Sequence, residues 1–215
     1  MAVSLKKGQG VSLKKNEYDL SKVTIGLGWD VNEEKTGGGL LGFLSKKPKE
    51  YDLDVVAFLL NENGKVNDLG PIENGHPSLK NGDVVYFNNL KHFSGQIWLT
   101  GDNRDGAGSG DDEQIIVNLN SLSDKYTKVV FVVQIYKGKS NNQDFSKVQN
   151  AFIRAVDARG SEMTRFDLSG DSSYANHCSI TFAELAREDG GSWKFTAIGT
   201  PHEEDSFVYS LKKYI

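Results

Sequence analysis

The apolar positions of this chain fall into short runs rich in β-branched and aromatic residues. They extend from Val23 to Leu27, Val55 to Leu60, Val84 to Phe87, Ile97 to Leu99, Ile115 to Leu119, Val129 to Tyr136, Ala151 to Val156 and Trp193 to Ile198. Val23, Ile25 and Leu27 alternate, which predicts a strand with one buried face. The runs that begin at Val55 and Val129 are continuous, as expected of strands covered on both sides. Turn signals separate the runs: Asn63-Gly64, Asn74-Gly75, Asn81-Gly82 and Asp189-Gly190-Gly191. Helical signals are few. Ser179 to Arg187 predicts a short helix. Glu203-Glu204-Asp205 precedes apolar Phe207, Val208, Leu211 and Ile215, and Lys212-Lys213 closes the segment. Acids first and bases last suit the helix dipole, so an amphipathic C-terminal helix is expected there. The pattern predicts an all-β-dominated fold, a sandwich or a barrel, with a few short helices.

At 215 residues the chain is long enough for one large β domain spanning 1–215. A Gly-rich stretch at about 32–50 carries Leu40-Leu41-Gly42-Phe43-Leu44 and reads as a surface insertion. The net charge of −4 and the dispersed Lys pairs give no nucleic-acid footprint. The single cysteine, Cys178, excludes an internal disulfide and favours a reducing, cytosolic setting. No apolar run approaches the length of a transmembrane segment, whereas peripheral attachment to a membrane or partner stays open.

Charge patterning then changes the picture. Between Thr100 and Glu113 lie five acidic side chains and four glycines, with one Arg. Clustered carboxylates repel unless a cation sits among them. Calcium takes six to eight oxygen ligands from carboxylates, carbonyls and amides, and this loop supplies all three. The spacing is not that of an EF-hand, and no amphipathic helix flanks it. A second acidic set lies at Asp30, where an alternating strand ends, and at Asp52 and Asp54, where a buried run begins. Two residues apart in extended chain, Asp52 and Asp54 point to one face. Adjacent Asp111 and Asp112 point to opposite sides unless the backbone rotates one of them. The expected metal residues are Asp30, Asp52, Asp54, Asp102, Asn103, Asp111, Asp112 and Glu113, meeting at one end of the fold around one or two Ca²⁺. A solvated acidic hairpin tip is the plain alternative. Mg²⁺ is the second choice of ion.

A transition metal is disfavoured because His76, His92, His177 and His202 are scattered; each is expected at the surface or in a turn. No Gly-rich loop ends in Lys-Ser or Lys-Thr, and no nucleophile elbow is present. His177 and Cys178 are adjacent and do not form a working pair. No enzyme activity is expected.

Gly26-Leu27-Gly28-Trp29-Asp30, Asp52-Leu53-Asp54, Asn88-Asn89-Leu90, Thr100-Gly101-Asp102-Asn103-Arg104, Gly110-Asp111-Asp112-Glu113, Asn150-Ala151-Phe152-Ile153-Arg154 and Trp193 to Gly199 occur in this order. Together they make the chain resemble the TerD family of bacterial tellurite-resistance and stress-response proteins over nearly its whole length. The Gly-rich insertion after Asp30 is similar to the TerZ branch. The resemblance implies a two-sheet β-sandwich holding two Ca²⁺ at one end through its acidic loops. It also implies a stress operon, whose other products are the expected partners, and no catalysis. Members usually carry acids where this chain has Ala107 and Ser109, which implies a weaker or water-mediated second ion. A Ca²⁺-dependent recognition module for an anionic ligand (lipid headgroup, sugar or nucleotide) is the alternative function.

Overall fold

The computed structural model describes residues 2–30, 51–100, 110–168 and 172–215. Its strands are β1 (Val3–Leu5), β2 (Gly10–Leu13), β3 (Val23–Asp30), β4 (Leu53–Leu60), β5 (Ile72–Glu73), β6 (His76–Pro77) and β7 (Val84–Val85). There follow β8 (Ile97–Thr100), β9 (Glu113–Val117), β10 (Lys128–Ile135), β11 (Gln149–Val156), β12 (Glu162–Asp167), β13 (Ser179–Arg187) and β14 (Trp193–His202). Two short α-helices, α1 (Gly138–Asn141) and α2 (Phe207–Leu211), and four single-turn 3-10 helices complete the described elements. Two six-stranded sheets form, ordered β1-β12-β11-β3-β9-β8 and β2-β14-β13-β10-β4-β7. All pairs in them are antiparallel except β1 with β12. The expected insertion at 32–50 lies outside the described residues, as do Asp102, Asn103, Ala107 and Ser109.

The main core lies between the sheets. Ile25, Leu27 and Trp29 of β3, Leu53, Val55 and Ala57 of β4, and Val129, Phe131 and Val133 of β10 all belong to it. The alternate residues of β4 and β10 face the other way. Val56, Phe58, Val130 and Val132 build a second apolar cluster with Tyr86, Phe207 and Leu211. Helix α2 covers this outer face, so β4 and β10 are buried on both sides and need continuous apolar sequence. Burying a side chain such as Phe58 is worth roughly 2 kcal/mol. Among the described residues no helix is long and apolar enough to cross a membrane.

Two helical expectations are corrected. Ser179–Arg187 is not a helix but the nine-residue strand β13, paired on both sides with β10 and β14. Ile180, Phe182 and Leu185 enter the main core, and an irregularity between Thr181 and Ala183 keeps them there despite the broken alternation. Tertiary pairing overrides the helix propensity of Ala183, Glu184, Leu185 and Ala186. The C-terminal helix exists but is only five residues long. Ser206 caps it by accepting from Val208 N–H, so the acids at 203–205 precede the helix. Phe207 and Leu211 are buried, whereas Val208 and Ile215 are exposed.

The histidines also depart from expectation, since His92 and His202 are buried. His92 Nε2 lies 3.1 Å from Asp83 Oδ1, and Tyr126 donates its hydroxyl to the same oxygen. Asp68 N–H donates to the other oxygen. Burial alone raises the Asp83 pKa, but these hydrogen bonds bring it below the ordinary value. Burial, followed by Asp83 itself, pushes the Tyr126 phenol well above its ordinary range. The cluster staples the long 61–96 connection to the sandwich.

His202 ends β14, with Thr181 Oγ1 at 2.8 Å from Nε2 and Lys213 Nζ at 3.2 Å from Nδ1. Burial first, then the Lys213 ammonium and His177, lower its pKa from 6.5 to about 4. A base with a depressed folded pKa binds protons more readily when unfolded. Its contribution is therefore intact above about pH 6.5 and is lost as pH falls toward about 4. The melting temperature should drop across this window, and the drop should be shallower in His202→Gln. An equally steep slope in the variant would remove His202 from the account.

Candidate metal centre

Strand β3 ends, and β4 and β9 begin, at the same end of the sandwich. Gly110, with φ of +131°, delivers the chain into the acidic run that starts β9. Asp112 N–H donates to Leu27 O at 2.8 Å. Trp29 N–H donates to Asp112 Oδ2 at 2.9 Å. Glu113 has the same alternation as Ile115 and Val117, so its side chain points between the sheets. There its Oε2 accepts from Val55 N–H at 2.6 Å. Pairing of β7 with β4 stops at Ala57 and Phe58, and Glu113 takes the amide that lies beyond it. A carboxylate from one sheet thus holds an amide near the start of a strand in the other, at only 2% exposure.

Asp111 goes elsewhere. Its carboxylate lies on the outer face of the first sheet, against Gly26, where an added Cβ would stand 2.1 Å from Oδ2. A Cβ on Gly28 would likewise meet the Phe152 ring and Gly110 O. Both glycines are required by close approach, which explains the Gly-Leu-Gly spacing. Arg154, opposite Gly26 in register, donates Nε to Asp111 Oδ1 at 2.8 Å and Nη1 to Glu162 at 3.0 Å. The hydrogen bond to Asp111 is the main cause that raises the Arg154 pKa. Gln114 Nε2 contacts the other Asp111 oxygen at 3.3 Å.

Asp54 faces the opposite outer side, with Val56 and Phe58. Gln134, its register partner, donates Nε2 to Asp54 Oδ2 at 2.9 Å. The same amide accepts from Phe207 N–H, the first residue of α2, at 2.8 Å. Asp52 sits just before β4, and its carbonyl accepts from Tyr136 N–H. Asp30 is exposed at the end of β3, with its carboxylate accepting from Asn150 Nδ2 at 2.5 Å.

The described parts of the three acidic segments, at Asp30, Asp52 to Asp54 and Asp111 to Glu113, lie at one end in their backbone. Their carboxylates diverge: Glu113 points between the sheets, Asp112 and Asp30 lie at the end, and Asp111 and Asp54 lie on opposite outer faces. Adjacent Asp111 and Asp112 do part, as extended geometry requires. Among the described residues no three His, Cys, Asp or Glu side chains gather into a metal cluster. The donor set is nevertheless oxygen-only, the chemistry of Ca²⁺ rather than of a thiophilic or imidazole-seeking ion. Asp102 and Asn103 fall outside the described residues.

Sequence reasoning missed Arg154, Gln134 and Asn150 as partners of the acids. Alternation shows that Arg154 faces outward between Ile153 and Ala155, but its place opposite Gly26 follows only from strand pairing. Cys178 is buried and donates to Gln143 O at 3.0 Å. Burial first, then Asp205 and Asp144, push its thiol up to about 11, far from a nucleophilic thiolate.

A family model described as the TerD domain matches residues 1–205. The chain is 66% identical to the tellurium resistance protein TerX of Serratia marcescens, over 100% of both chains. It is 39% identical to the stress response protein SCP2 of Bacillus subtilis (strain 168), again over 100% of both. The crystal structure of a homologue of telluride resistance protein (TerD) from Streptomyces coelicolor A3(2) shares the fold with a TM-score of 0.61. That likeness has 19% identity and covers 91% of this chain and 98% of the other.

The Arg154–Asp111 pair yields a direct test. Removing one partner of a buried pair strands the other charge. Arg154→Ala should lower stability by on the order of 2–3 kcal/mol, less than for a fully buried pair because Arg154 is partly exposed. Asp111→Asn in that background should restore part of the loss. Urea denaturation reads both, and an Arg154→Ala change below about 0.5 kcal/mol would leave the pair without a structural role.

Proposed function

The chain belongs to the TerD domain family of tellurium-resistance and stress-response proteins, and from that premise we propose that it is a cytosolic, non-catalytic calcium-binding module. One observation carries this reading: β3, β4 and β9 are tied together at one end by the carboxylates of Asp112 and Glu113, which hold the amides of Trp29 and Val55. Asp30 and Asp112 thereby place carboxylates from the end of β3 and the approach to β9 at that end, where oxygen ligands suit Ca²⁺.

In this reading Asp30 and Asp112, at the end of the sandwich, hold Ca²⁺ together with Asp102 and Asn103, while Glu113 and Asp54 brace the strands beside them. Asp111, balanced by Arg154, fixes the turn that presents its neighbours. The bound ion supplies positive charge that offsets repulsion between the carboxylates. The chain's own residues position the loops: Gly26 admits the Asp111 carboxylate, and Gln134 links Asp54 to the start of α2. The names of the relatives place them in tellurium resistance and stress response, and we extend that physiological role to this chain. Other products of the same stress response are the partners this role calls for.

Calcium that binds only the native state stabilises it by RT ln(1 + [L]/Kd), about 2.7 kcal/mol at a hundredfold excess over Kd. Melting in EDTA and in millimolar Ca²⁺, with a calorimetric titration, tests the reading. A clear rise in melting temperature is expected, and Glu113→Gln should reduce it. Identical melting curves and no heat of binding would overturn the calcium assignment.

A further inference from the structure

Away from the acidic end, α2 and the second sheet enclose an open cavity of about 420 Å³. This is within the roughly 300–1,000 Å³ of small-molecule sites. Tyr86, Phe87 and Tyr136 supply aromatic walls, and Gln134 forms part of the floor. The Gln134 amide is fixed, because Asp54 Oδ2 and Phe207 N–H already engage its two ends. A polar floor and aromatic walls select for a ring with a polar end.

Two charges of opposite sign line the same cavity. Lys137 Nζ stands over the Tyr136 ring, 5.0 Å from its centroid. Asp205 lies at the approach to α2. Neither forms an ion pair with the other or with any of the described residues, although the neighbouring Lys139 and Glu204 pair at 3.5 Å. An ammonium and a carboxylate that share a cavity without joining leave room for a ligand carrying both complementary charges.

The backbone gives an independent pointer. Seven described non-glycine residues have positive φ, and five of them are Asn, the type that tolerates this conformation. The two others are Leu79 and Lys137, with φ of 59° and 53°. Both line this cavity. Side chains held in unfavourable backbone conformations concentrate at ligand sites, where the surroundings over-determine them.

We propose that this cavity binds a free aromatic α-amino acid, its ring against Tyr86, Phe87 and Tyr136, its carboxylate on Lys137 and its ammonium on Asp205. The site uses none of the expected calcium ligands and stands independently of the calcium assignment.

Calorimetric titration of the full chain with L-phenylalanine, L-tyrosine and L-tryptophan tests the proposal. 2-Phenylethylamine lacks the carboxylate, 3-phenylpropionate lacks the ammonium, and L-alanine lacks the ring. At least one aromatic amino acid should bind saturably, and each deletion should weaken binding about tenfold or more. Lys137→Met should weaken the amino acid but leave 2-phenylethylamine unchanged. Asp205→Asn should weaken the amino acid but leave 3-phenylpropionate unchanged. Amide shifts in two-dimensional NMR should map to residues 79, 86–87, 134–137 and 205–208. No saturable binding of any of the three amino acids, equal binding of L-alanine, or shifts elsewhere would overturn the proposal. Should a variant fail to fold, the ligand series on the unaltered chain decides it.

Discussion

The buried carboxylate of Glu113 is the constraint around which the acidic end is organised. A charge between two sheets is tolerated only when hydrogen bonds replace its lost water. Glu113 meets this by taking the Val55 amide, which the short strand β7 does not reach. The bond fixes β9 of one sheet against β4 of the other. Asp112 makes the corresponding bond to Trp29, so β3 is drawn to the same place. Once these two residues are set, Asp111 has only the outer face open to it. Gly26 leaves the space there, and Arg154 supplies the countercharge.

The second sheet carries the other half of the architecture. Its strands β4 and β10 are apolar on both faces because the sandwich core lies on one side and α2 on the other. Near the acidic end this outer layer turns polar at Asp54 and Gln134. The Gln134 amide connects the carboxylate to the first amide of α2 through two hydrogen bonds. A change at Asp54 therefore has a short covalent and hydrogen-bonded route to the C-terminal segment and the cavity beside it.

Much of this was legible in the sequence where burial is regular. The alternation of Val23, Ile25 and Leu27, and the continuous runs of β4 and β10, located strands and their covered faces. The glycine and acidic segments located the end where three strands meet. What escaped were features set by pairing rather than by local pattern. The first part of β13, Ser179-Ile180-Thr181-Phe182, is strand-like, but its second half reads as helix, and only its two neighbours decide the matter. Strands β1 and β2 carry weak patterns because they are edges with exposed residues. The burial of His92 depends on Asp83, which lies 9 residues from His92 and 43 from its other partner Tyr126, a contact no local signal announces. Divergence of the carboxylates likewise follows from register: Arg154 is opposite Gly26, and Gln134 is opposite Asp54.

The central claim is that the carboxylates of Glu113 and Asp112 clamp the starts of β4 and β9 and the end of β3 into one unit, which we propose responds to Ca²⁺. Amide hydrogen exchange at Val55 and Trp29, measured by NMR with and without Ca²⁺, tests it most directly. The account predicts slow exchange at both amides in the metal-free protein, and a further slowing at both together when Ca²⁺ is added. Rapid exchange at either amide, or rates that do not respond to Ca²⁺, would contradict it.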